Sequence, residues 1–71
     1  MKHIAPTDVT APPDGWGWAM KDLHSCRKST GEMKYVVRQK TSNGDRSAGP
    51  MSAALANALM LQWNNEAKAA A

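Results

Sequence analysis

The stretch Met33-Lys34-Tyr35-Val36-Val37-Arg38-Gln39-Lys40 decides what kind of fold this chain adopts. Tyr and Val are strong strand formers, and charged residues alternate through the segment. Side chains of a strand point alternately to its two faces. Met33, Tyr35 and Val37 therefore share one face, and Lys34, Val36, Arg38 and Lys40 share the other. The first set is the better core face, so the segment predicts a strand packed on one side.

The flanks set its partners. On the C-terminal side, Thr41-Ser-Asn-Gly-Asp45 contains Asn43-Gly44, a strong short-range hairpin signal. A short, polar third strand over Asp45 to Ala48 would form an edge. On the N-terminal side, Arg27-Lys-Ser-Thr-Gly-Glu32 reads as a turn, with Gly31 supplying a positive φ. Before it, Trp16 to Ser25 fits two periods. Trp16, Trp18 and Met20 alternate as in a strand, whereas Trp16, Ala19, Met20, Leu23 and Cys26 fit helical spacing with Asp14 as N-cap. The strand is favoured, because glycines flank Trp16 and the following strand needs a partner. Leu23 leaves the Trp face, which predicts a bulge near Lys21-Asp22.

Gly49-Pro50 opens a helix in this reading, with proline at the first helical position. Met51 to Lys68 is rich in Ala, Leu and Met, all good helix formers. Met51, Leu55, Leu59 and Trp63 recur every four residues, with Ala54 and Ala58 beside them, and predict the stripe that meets the sheet. Met60 and Leu61 widen that stripe beyond what a lone helix needs. The expected architecture is α+β, β-β-(β)-α: a small antiparallel hairpin or three-stranded sheet carrying one C-terminal helix. Residues 1–14, with Pro6, Pro12 and Pro13, read as a flexible arm, 15–68 as the single domain and 69–71 as a frayed tail.

A chain of 71 residues holds one domain at most. Such a domain buries only about 60% of the surface its unfolded chain exposes, so it needs help from a disulfide, a metal or a partner. Cys26 is the sole cysteine, which rules out an intrachain disulfide and fits a reducing compartment. His3, His24 and Cys26 are too few for a zinc site, which takes about four ligands. No cofactor is expected. The longest weakly polar run, Met51 to Leu61, is too short to span a bilayer, and the N-terminus lacks a secretory pattern, so a cytoplasmic protein is expected.

Catalysis is not expected. His24, Ser25, Cys26 and Asp22 crowd one short segment, and no cleft large enough to hold a substrate among them is foreseen. What remains is surface recognition. Trp63 and Trp18 are assigned to a core without phenylalanine, and Trp16, between two glycines, is the expected exposed anchor. Between residues 21 and 46, seven basic residues oppose three acidic ones. Of these, Arg27 and Lys28 sit at the turn, and Lys34, Arg38 and Lys40 project from one sheet face. Trp16, Arg27, Lys28, Lys34, Arg38 and Lys40 are thus the candidate partner-binding residues, suited to an acidic protein surface. Two other readings use the same chain: a nucleic-acid binder that lays the basic face along phosphates, and a structural module that dimerises through the C-terminal helix.

Across residues 15 to 67, this build resembles small accessory proteins encoded by bacteriophages, such as host-transcription inhibitors and anti-CRISPR proteins. Its components are a short arm, a β-hairpin, a basic face and one Ala- and Met-rich helix. The resemblance implies a non-enzymatic regulator that acts stoichiometrically by covering a functional surface of a large host complex.

Overall fold

The computed structural model describes residues 11–70, so the expected arm is described only from Ala11 onward. Three strands, β1 (Met20–Arg27), β2 (Glu32–Thr41) and β3 (Gly44–Met51), precede one helix, α1 (Ala53–Ala69). The sheet is antiparallel in the order β1-β2-β3, so the decisive stretch is its central strand. This is the α+β, β-β-β-α arrangement expected from the sequence.

The cross-strand register assigns the two faces. Val37 lies opposite Lys21 and Ala48, and Gln39 lies opposite Arg46. These residues face α1, where Ala19, Val37, Ala56 and Trp63 form the buried cluster. Tyr35, Ala48, Met51, Leu59 and Met60 pack around it. Val36 lies opposite Asp22, Arg38 opposite Met20 and Ser47, and Lys40 opposite Asp45. No element of the described chain covers that second face.

Both turns follow from local chemistry. Between β1 and β2, the Gly31 N–H donates to the Arg27 carbonyl at 2.7 Å, and Gly31 has the expected positive φ of 73°. Between β2 and β3, Thr41 pairs with Gly44, so Ser42 and Asn43 form the two-residue loop. The hairpin is present, one residue earlier than the Asn43-Gly44 signal suggests. Thr41 Oγ1 accepts from the Asn43 N–H at 3.1 Å and donates to the Gly44 carbonyl at 2.6 Å, which fixes the loop at this position.

Four local expectations are corrected. β1 begins at Met20, and its irregularity falls between Leu23 and Ser25, so His24 and not Lys21-Asp22 drops out of register. β3 runs on to Met51 instead of ending at Ala48, because a register shift between Tyr35 and Val37 absorbs the Gly49-Pro50 step. Gly49 has φ 123°, and a Cβ built there would stand 2.7 Å from the Tyr35 carbonyl oxygen, so only glycine fits. Pro50 therefore belongs to a strand; the helix is capped by Ser52, whose Oγ accepts from the Leu55 N–H at 3.3 Å. The buried stripe of α1 is Ala56, Trp63 and Ala67, flanked by Leu59 and Met60. Leu55, expected on that stripe, is 63% exposed, and Ala54 and Ala58 also face outward. Close approach of helix to sheet selects alanine at the contact, and Ala56 and Ala67 are fully buried there.

One polar clamp locks the C-terminal half of α1. Buried Gln39 donates through Nε2 to the carbonyls of Gly17 at 3.0 Å and Trp63 at 3.2 Å. Its Oε1 accepts from Arg46 Nε at 2.9 Å. The Arg46 guanidinium stacks 4.1 Å from the Trp63 ring centroid and reaches Glu66 at 2.9 Å. Asn64 Oδ1 accepts from the Ala19 N–H at 2.6 Å. Every member of this buried network is satisfied, so it fixes the helix position instead of straining it.

Candidate interaction surface

The uncovered sheet face is the one extended surface on which the sequence candidates meet. Its centre is apolar: half-buried Trp18 and Val36 accompany Met20, which is 58% exposed. Trp18, Met20, Arg38, Lys40, Asp45 and Ser47 line a shallow hollow at one end. Trp18 arrives there because Ala19 is buried under the helix and the extended chain alternates. The Gly17 N–H, donating to the Lys40 carbonyl at 2.8 Å, holds that segment against β2.

Charge surrounds this centre. Arg38 pairs with Asp22 at 3.1 Å, and Lys34 with Glu32 at 3.2 Å. All four side chains are well exposed, so each pair contributes little to stability and orders the surface at most. Among the described residues no salt bridge engages Arg27, Lys28 or Lys40. The face is therefore close to neutral over most of its area, with Lys40 opposite Asp45 beside the hollow, and basic at the β1–β2 turn, where Arg27 and Lys28 stand.

The structure brings Lys34, Arg38 and Lys40 to one face, with Arg27 and Lys28 at its margin. Trp16 is placed elsewhere. It is half-buried on the helix side of the sheet, its ring centroid 5.9 Å from the Arg46 guanidinium that also stacks on Trp63. Trp18, assigned to the core from sequence, occupies the open face instead. The sequence reading also passed over Asp22 and Glu32 as partners that neutralise Arg38 and Lys34. Strand alternation gives the signal for Asp22, which shares the parity of Trp18 and Met20.

The groups considered for catalysis do not converge. Cys26 is exposed near the far end of β1, opposite Met33, and His24 lies at the bulge. Among the described residues no three His, Cys, Asp or Glu side chains are grouped as metal ligands, and no helix is long and apolar enough to cross a membrane.

Comparison with known proteins finds no match among family models, curated proteins or solved structures.

Proposed function

We propose that this chain is a non-catalytic protein-binding regulator, an inhibitor whose open sheet face covers an acidic functional surface of a larger host complex. The observation that supports this reading is the layout of that face: Trp18, Met20 and Val36 at the centre, charged residues around them, and no described element laid over them. A desolvated apolar centre within a polar rim is the anatomy of a protein interface, and tryptophan is a frequent energetic anchor. The surplus positive charge of Arg27 and Lys28 favours an acidic partner and speeds encounter with it. Nucleic acid is the less favoured occupant, because the apolar centre matches the core of a protein interface and finds no counterpart on a phosphate backbone.

Parallel affinity capture from host extract with the native chain and with Trp18→Ala/Lys40→Glu as baits tests the reading. A protein retained by the native chain, lost by the variant and released by raised salt supports it. A partner held equally by both baits overturns the assignment of this face. Salt-dependent quenching of tryptophan fluorescence by DNA or RNA oligonucleotides near physiological ionic strength overturns it in favour of the phosphate reading.

A further inference from the structure

The outer face of α1 has an unusual surface for an exposed helix. From Ala53 to Asn65 the helix carries no charged residue, although much of this length faces solvent. Leu55 and Leu61 stand out from it, 63% and 64% exposed. Beside them runs an open groove lined by Ala58, Leu61, Gln62, Asn65, Glu66 and Ala69. These positions form two overlapping sets spaced i, i+3, i+4, i+7: residues 58, 61, 62 and 65, then 62, 65, 66 and 69. That spacing bounds the holes into which side chains of a facing helix insert in coiled-coil packing.

We infer that a second copy of this chain packs antiparallel along this face of α1. Three observations select a second copy over an unrelated partner. Knobs and holes occur on the same helix, and they are offset along it: Leu55 lies near the N-terminal end and the holes run from the middle of the helix to its C-terminal end. Antiparallel pairing brings each Leu55 to the other copy's second hole and Leu61 to its first, whereas parallel pairing sets Leu55 against Leu55. The surface is also self-compatible in charge. Of the helix's two charged residues, Glu66 is held by Arg46 at 2.9 Å and Lys68 stands exposed in the last turn, where its ammonium reaches solvent, so pairing along the uncharged stretch buries no unpartnered charge. Finally, the isolated domain needs a staple. Among the described residues the buried hydrophobic ones are Ala19, Val37, Ala56, Trp63 and Ala67, and Val37 is the largest side chain that is fully buried. A core this small supplies only a few kcal/mol, and oligomerisation is one of the few remedies open to a chain with a single cysteine.

The arrangement is back to back. The helices form the centre, and the two open sheet faces point outward, so a dimer would present two copies of the surface described above. Two sites on one particle raise avidity for a repeated or dimeric target without any new contact.

Sedimentation equilibrium on the full chain from about 1 μM to about 1 mM tests the pairing. The apparent mass rises toward twice that of the chain, and Leu61→Glu weakens association at least tenfold, by about 1.4 kcal/mol, with helical circular dichroism retained. A single-chain mass throughout overturns the inference, as does a dimer indifferent to Leu61→Glu. Cross-linking covers the case in which that variant fails to fold. In a Cys26→Ser background, Leu61→Cys oxidises to a linked dimer, because it sits near its own copy in an antiparallel pair, while Leu55→Cys does not. Linking through Leu55→Cys, or through neither, overturns the arrangement. Trp18→Ala/Lys40→Glu leaves the mass unchanged, so failure of the open-face reading and failure of the dimer are separable.

Discussion

The two faces of β2 are built from neighbouring residues and have opposite lives. On one, Val37 is fully buried and Gln39 nearly so, and both are held by α1. On the other, Val36, Arg38 and Lys40 belong to a surface that no described element covers. The backbone is common to both, so the difference comes from what lies above each face. Stability is concentrated on the helix side, and the opposite side is left free to be shaped by recognition.

The largest test of this division is Trp63→Ala. Trp63 is the one large aromatic in the buried cluster and also the ring on which Arg46 stacks, so its loss costs about 3–5 kcal/mol and leaves the domain largely unfolded at room temperature. Urea titration followed by circular dichroism measures it. Next comes a matched pair on adjacent residues. Val37→Ala leaves a cavity under the helix and costs about 2 kcal/mol, whereas Val36→Ala costs well under about 1 kcal/mol. Equal shifts in the urea midpoint would erase the distinction between the faces. Smaller than the Trp63 loss and similar to that of Val37 is Arg46→Ala, at about 1–3 kcal/mol, because it strips the buried Gln39 Oε1 of its donor and frees Glu66. Loss of hydrogen-exchange protection confined to the C-terminal turns of α1 and the Gly17 segment would show that this clamp acts where it sits.

The sheet was legible because its signals are local. Alternation in residues 33–40 marks the central strand and its two faces, and Gly31 and the Thr41–Gly44 segment mark the turns. The helix was legible as a helix, but its rotation was not. Hydrophobic residues ring α1 on several sides, so a spacing of four drawn through Met51, Leu55, Leu59 and Trp63 is as regular as the stripe through Ala56, Trp63 and Ala67. Contact with the sheet decided between them: small side chains permit the approach, and Leu55 and Leu61 remain outside. The two early tryptophans were misplaced for a related reason. Trp16 lies on the helix side near Arg46, a neighbour thirty positions away that no local pattern announces.

Gly49 shows where the chain has least liberty to drift. It lies on an exposed edge strand, where substitution is ordinarily harmless. Yet its backbone conformation and the carbonyl of Tyr35 together exclude every side chain, down to a single methyl group. Accessibility to solvent and freedom to vary are therefore separate properties in this small domain, and a surface position that contributes no side chain at all is among the described glycines the one least open to replacement.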